Sequence, residues 1–354
     1  PYTDLQWGHE LYCVGHLLQA AVAWQRAVGD DTLMSVAERA VDHIEAEMGD
    51  GRREGIGGHP EIEMALVEAY RTTGREAYLA FAKTLIERRG RGLLGPGRLG
   101  SRYWQDHESP RTAPTAAGHA VRQMYLDCGV VDVAVETADQ ELLGAVIRRW
   151  DDMWSTRTYL TGALGSRHRD EAFGDPYELP SDRAYAETCA AIGSVMLAWR
   201  LLLATGEGRF ADAFERTLYN AVLPGLSLEG TSFFYTNPLR MPANPVTSSV
   251  APGARQGWYP CACCPPNLMR MISTFEHHIA TTDASGVQLH QFASGTIEAD
   301  VGGEPFRLRV ETDLPWHGSV TIDIEAAPTE RRALRIRLPA WLEAGTVRVA
   351  GEAR

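Results

Sequence analysis

The chain is 354 residues long, 44% hydrophobic and 23% charged, enough for a sizeable core and for two domains. Its formal net charge of −12 disfavours nucleic acid or an anionic membrane as a partner, since both call for a basic patch, and suits a neutral or weakly charged ligand. No run of about 18 uninterrupted apolar residues occurs, so no membrane span is expected.

The first 280 or so residues read mainly as helices. Leu33, Val36, Ala37, Ala40, Val41 and Ile44 fall on one apolar stripe, with Asp31 placed to cap its start. Ile62, Ala65, Leu66, Ala69 and Tyr70 form a second stripe closed by Gly74. "AWQRAVGDD", "AYRTTGREA" and "AWRLLLATGEG" each end one helix with glycine and begin another. Upstream of such joints, helices open with "GHELYC", "GHPEIE", "GHAVRQMY" and "ETCAAIG". The unit is therefore a helical hairpin with histidine or cysteine near the start of its first helix. Its irregular spacing favours a closed toroid over a strict-period solenoid, with the polar starts converging on a central pocket. Glu229 to Trp258 is rich in Pro, Asn, Ser and Gly and reads as a long loop. After about residue 283 the period becomes two: Phe306, Leu308, Val310 and Thr312, then Val320, Ile322 and Ile324, then Leu334, Ile336 and Leu338. The expected division is 1–282 helical and 283–354 an incomplete β-sandwich. The chain begins at Pro1 and stops at "VAGEAR", and reads as a piece of a longer protein.

Cys13, Cys128, Cys189, Cys261, Cys263 and Cys264 are too few and too badly spaced for a disulfide framework. Reduced thiols and a cytoplasmic setting follow, an export signal ahead of Pro1 being left open. "CACC" crowds three thiols into four residues, which packing alone does not explain, whereas Cys13 and Cys128 read as buried free cysteines. With "AETC" from another helix start it offers a Glu-Cys-Cys-Cys set, Glu187, Cys189, Cys263 and Cys264, and thiolates favour zinc over magnesium or calcium. Pro265 and Pro266 put the cysteines at a helix N-terminus, where the dipole lowers a thiol's pKa and a thiolate can serve as nucleophile. An uncharged substrate then needs an acid for its leaving group. Glu171, Asp175 and Glu178 in "HRDEAFGDPYELPSD" are candidates, and Asp182 reads as an N-cap for the next helix.

"GHELYC", "GHPEIE", "GHAVR", "TGALGS", "LPSDRAYAETCA" and "CACCPPN", in that order along nearly the whole chain, resemble the β-L-arabinofuranosidase family, glycoside hydrolase family 127. The resemblance implies an (α/α)6 helical barrel followed by β-sandwich domains, and a retaining glycosidase with a zinc-bound cysteine nucleophile. It makes Cys263 the nucleophile and a zinc ligand, Cys264, Cys189 and Glu187 the other Zn2+ ligands, and Glu171 the general acid/base. His59, His119, Tyr235 and either His9 or His16 would contact the sugar. Cys261 and His168 match family motifs without an implied role. Trp7, Tyr12, Trp104 and Trp258 are aromatic candidates for stacking on a sugar face. The implied activity is exo-release of L-arabinofuranose from β-L-arabinofuranosides, with homodimerisation left open. The rivals are a same-scaffold glycosidase for another pentofuranoside or an acidic deoxy sugar, a helical-toroid epimerase working through paired histidines without metal, and a non-catalytic helical scaffold.

Overall fold

The computed structural model describes residues 1–241 and 253–349, with 352–353 as strand backbone. The middle of the expected Glu229–Trp258 loop, 242–252, lies outside the described residues.

The helices are α1 (Glu10–Val28), α2 (Thr32–Met48), α3 (Ile62–Thr73), α4 (Glu76–Arg88), α5 (Ala120–Glu136), α6 (Gln140–Thr156), α7 (Thr188–Thr205), α8 (Gly208–Thr217) and α9 (Cys264–Ser273). Gly29, Gly74 and Gly206 end α1, α3 and α7 in the left-handed conformation, at φ 75°, 70° and 72°, which glycine adopts without strain. The α5–α6 joint uses Ala138 at φ 54° instead, and Asp139 caps α6 by accepting from Leu142 N at 3.0 Å.

Helices α1, α3, α5, α7 and α9 pack side by side as the inner layer, and α2, α4, α6 and α8 cover them from outside. Arg270 Nη1 on α9 donates to Gln19 Oε1 on α1 at 2.8 Å, joining the last inner helix to the first. This is the (α/α)6 barrel class, represented here by five inner and four outer helices among the described residues. Almost every residue of α5 is buried, as an inner helix requires. Helix α7 has the length and apolarity of a membrane span, but most of it is buried in the barrel.

The apolar stripe of α2 is centred on Met34, Ala37, Val41, Ile44 and Met48, whereas Val36 is exposed. Methionine extends the stripe by a turn at each end, and Val36 lies at its edge. Asp31 occupies the N-cap position but its side chain makes no cap; Asp30 Oδ1 accepts from Thr32 N at 2.7 Å instead. Asp182 caps nothing, because α7 begins at Thr188 with Glu187 as its N-cap residue. Cys13 is exposed rather than buried, and Cys128 is fully buried.

The strands are β1 (Ala280–Asp283), β2 (Gly286–Leu289), β3 (Gly295–Val301), β4 (Glu304–Thr312), β5 (Val320–Ala326), β6 (Ala333–Ile336), β7 (Arg348–Val349) and β8 (Glu352–Ala353). They form sheets ordered β1-β2-β6 and β3-β4-β5 and a β7-β8 pair; β2 and β6 run parallel, and the other pairs run antiparallel. Val287, Val301, Phe306 and Leu308 fill the space between the two larger sheets, the small core that a sandwich needs. Arg337, just after β6, pairs with Asp212 at 2.5 Å and with Glu215, both on α8, and so ties the sheets to the barrel.

Candidate active site

The inner helices share one device. The residue at the N-cap position is His9 on α1, Glu61 on α3, His119 on α5, Glu187 on α7 and Cys263 on α9. None of these side chains caps its own helix, so each is free to face other groups. Helix N-termini carry partial positive charge, and gathering several at one end of a barrel favours thiolates and carboxylates there.

Glu187, Cys189, Cys263 and Cys264 offer ligand atoms that all lie within 4.8 Å of one another. Cys263 Sγ is 3.4 Å from Glu187 Oε1, Cys264 Sγ is 3.8 Å from the same oxygen, Cys189 and Cys264 sulfurs are 3.4 Å apart, and Cys263 and Cys264 sulfurs 3.8 Å. A tetrahedral zinc with bonds of about 2.3 Å to sulfur and about 2.0 Å to oxygen sets its donors roughly 3.8 Å apart for two sulfurs and roughly 3.5 Å for sulfur and oxygen. The donor set therefore fits a zinc-type cation in both chemistry and size. Burial, then the Cys263 and Glu171 charges, push the Glu187 carboxyl well above its ordinary value, and burial with the neighbouring thiols does the same to Cys264. Burial also raises Cys189, but hydrogen bonds from Cys263 and Cys264 outweigh it and bring that thiol down to about 7. Four acidic groups so close cannot all ionise by themselves; a dication among them would let them. Tyr185 donates to Glu187 Oε2 at 2.7 Å, which orients the carboxylate and leaves Oε1 toward the sulfurs.

Glu171 lies on the loop ahead of α7. Its φ is 54°, a left-handed conformation that costs a non-glycine residue energy. Backbone bonds hold it there: Ala120 N donates to Glu171 O at 3.0 Å, Phe173 N to Gly118 O at 2.9 Å, and Arg167 and Ala172 exchange bonds at 3.0 and 3.2 Å. His119 Nε2 and Glu171 Oε2 are 2.9 Å apart. His119, Glu171 and Glu187 also place ligand atoms within 4.8 Å of one another, so the Glu171 carboxyl faces the Cys/Glu cluster. Burial raises Glu171, but the hydrogen bond from His119, with Tyr185 and Arg122, leaves it below its ordinary value. Burial lowers His119, which is therefore a neutral donor to the carboxylate. The rival acids are elsewhere: Asp175 and Glu178 both pair with Arg167, at 3.0 and 2.7 Å, at the protein surface.

The histidines form a chain. Ring centroids are 6.1 Å apart for His9 and His59 and 6.1 Å for His59 and His119, while Tyr12 lies 4.4 Å from both His59 and His16. Burial lowers His59 well below its ordinary value. His9 is thus at the exposed rim of this row and His16 two helical turns further along, one turn beyond Tyr12. Tyr235 is buried beside Tyr185 and Tyr259, with centroids at 6.1 and 5.7 Å. Its carbonyl accepts from Thr188 N at 3.0 Å, which fixes it beside the start of α7. His168 is exposed, 5.9 Å from Tyr185, and Cys261 is exposed. Trp104 is fully buried against Trp7, and Trp258 is exposed.

Sequence reasoning missed Tyr185 and Arg122. Tyr185 stands two residues before Glu187 in "AYAETC", and Ala186 between them, at φ 43°, turns the backbone at that point. Arg122 Nη1 donates to Gly58 O at 2.9 Å, and its guanidinium lies 4.5 Å over Trp104 and 5.3 Å over Tyr103. It ties the turn before His59 to the segments around His119 and supplies the positive charge that helps keep both histidines neutral.

Residues 2–277 match the catalytic domain of β-L-arabinofuranosidases of glycoside hydrolase family 127, and residues 286–354 match the middle domain of that family. A non-reducing end β-L-arabinofuranosidase of Bifidobacterium longum subsp. longum is 35% identical over 367 residues, covering 96% of this chain and 55% of the relative. A GH127 β-L-arabinofuranosidase crystal structure from Geobacillus stearothermophilus T6 superposes with a TM-score of 0.93 at 35% identity, over 100% of this chain and 59% of that one. A further GH127 β-arabinofuranosidase structure does so with a TM-score of 0.88 at 36% identity, over 96% and 52%. The chain thus spans a little over half the length of the relatives it matches.

Proposed function

The chain belongs to glycoside hydrolase family 127, and on that premise we propose that it forms the catalytic part of a retaining exo-β-L-arabinofuranosidase with Cys263 as nucleophile and Glu171 as acid/base. The observation that carries the reading is the facing of two groups: a Cys/Glu cluster of tetrahedral size on one side, and a carboxyl hydrogen-bonded to a buried histidine on the other. An α-helical scaffold without catalysis has no use for either.

Glu187, Cys189, Cys263 and Cys264 would hold Zn2+, which when bound keeps the thiols ionised at neutral pH and makes sulfur a better leaving group. The chain's own groups do the rest. The sugar binds across His59, His119 and Tyr235 and takes up the hydrogen bond that His119 otherwise gives Glu171. That removes the main influence holding Glu171 down and leaves burial, the largest influence and a raising one, against only Tyr185 and Arg122, so the carboxyl can carry a proton. Glu171 gives this proton to the glycosidic oxygen as the C–O bond breaks and the Cys263 sulfur bonds to the anomeric carbon. Water then attacks that carbon, Glu171 takes its proton, and the C–S bond breaks to release the sugar with retained configuration. The test is proton NMR of the first-formed anomer during hydrolysis of an aryl β-L-arabinofuranoside by the full-length protein. The β anomer is expected, and an initial α anomer would exclude the two-step scheme.

A further inference from the structure

Glu61, at the N-cap position of α3, is fully buried, and neither of its carboxyl oxygens has a hydrogen-bond partner among the described residues. His16 Nδ1 lies 3.2 Å from Glu61 Oε1. The approach is enforced by packing. Gly15 lies so close to α3 that a Cβ there would come 2.8 Å from Glu61 Cγ and 2.9 Å from Ile62 Cα. An ionised carboxylate with no N–H or O–H donor costs several kcal/mol to bury, whereas a carboxylic acid has one proton to donate.

We infer that Glu61 is a positioning residue: as a carboxylic acid it donates to His16 Nδ1, and so fixes His16 as the tautomer that presents an Nε2–H donor to the pocket. If Glu61 were instead an acceptor, Nδ1 would carry the proton and Nε2 would offer a lone pair. The state of one buried carboxyl thus sets whether this imidazole donates to or accepts from a sugar hydroxyl. The surroundings agree. Burial raises Glu61 to about 8, against the pull of Arg270 on α9 and Arg200 on α7 and with the push of Glu63 on α3. Burial, then Arg270, lowers His16 to about 4. Tyr12 on α1 and Tyr125 on α5 border the pair, and both phenols are raised and so neutral. The Arg270 charge is already engaged by Gln19, Tyr125 and Asn267, at 2.8, 3.0 and 2.7 Å.

The tautomer assignment stands without the sugar-cleaving reading; only its effect on turnover rests on it. The test is 15N NMR of the zinc-loaded protein labelled at histidine, with His16→Gln used to identify the His16 signals. Neutral His16 with Nε2 protonated at pH 6.5 is expected, and Nδ1-protonated or doubly protonated His16 would overturn the proposal. Glu61→Gln, whose amide also donates to Nδ1, should keep that tautomer and restore kcat/KM to within about threefold of wild type, whereas Glu61→Ala should lose the tautomer and raise KM tenfold or more. Equal KM in the alanine and glutamine variants would overturn the positioning role, while an inactive wild type with the expected NMR tautomer would count against the glycosidase reading alone.

Discussion

Cys263 Sγ and Glu187 Oε1 lie 3.4 Å apart although 76 residues separate them in the chain. Each occupies the N-cap position of an inner helix, and the barrel brings those two helix starts together. A thiol and a carboxyl this close in a buried site repel each other once both are ionised, and a shared cation removes the repulsion.

Cys263→Ser should abolish turnover of an aryl β-L-arabinofuranoside, by at least about a thousandfold in kcat. The same variant should hold less than one zinc per chain by elemental analysis. Undiminished turnover in the serine variant would remove the thiol from the mechanism.

Chelation should lower the melting temperature as well as the activity, because the four ligands come from two distant segments of chain. A cation bound well above its Kd adds about 3 kcal/mol or more, or roughly 5–10 °C in Tm for a domain of this size. Added Zn2+ should restore both. An unchanged Tm after zinc is verifiably removed would show that the cluster does not bind metal in the folded protein.

Glu171→Gln should discriminate by leaving group. Loss of the acid should cut kcat/KM by about a hundredfold or more for an alkyl arabinofuranoside and much less for a dinitrophenyl one, which leaves without a proton. Equal losses on both substrates would point to a role in binding instead.

Gly118→Ala should destabilise the fold by about 1–3 kcal/mol and reduce kcat as well. Gly118 has φ 66°, and a Cβ there would come 2.3 Å from Arg102 O and 2.5 Å from Tyr103 O. The relief of that clash moves His119, the next residue, away from Glu171. Thermal unfolding and kinetics on the same preparation measure the two effects together.

The Glu61–His16 pair predicts a pH dependence of stability. Between about pH 4.5 and 6.5 the folded state keeps a proton on Glu61 that the unfolded chain releases, and the unfolded chain holds one on His16 that the folded state lacks; the two differences cancel. Between about 6.5 and 8 only the Glu61 difference remains. The folded state then binds the extra proton, so stability falls as pH rises, by up to about 2 kcal/mol for this buried group. Urea unfolding of wild type and Glu61→Gln across that range should show the fall in the first and its absence in the second.

Much of this arrangement is readable in the sequence because the motifs sit where helices begin. The hairpin joints at Gly29, Gly74 and Gly206 and the period-two runs of β4 and β5 follow from local patterning. Pro265 and Pro266 lie in the first turn of α9 and place Cys263 at its N-cap, so the pairing of "CACC" with "AETC" needs only the barrel to bring the two starts together. What stays hidden is set by tertiary packing. The parallel pairing of β2 with β6 joins residues 47 apart in the chain, as in Val287 with Leu334. The exposure of Cys13 depends on which face of α1 turns inward, and Tyr12 and His16 hold that face. The Glu61–His16 contact arises because Gly15 lets α1 approach α3, and neither residue's pattern announces its partner.

The most direct measurement is peptide mapping by mass spectrometry after acid quenching the full-length enzyme during turnover of an activated aryl β-L-arabinofuranoside. One pentosyl group attached at Cys263 is the predicted result. The same group found on Glu187 or Glu171, or no adduct together with an inverted product, would contradict the account.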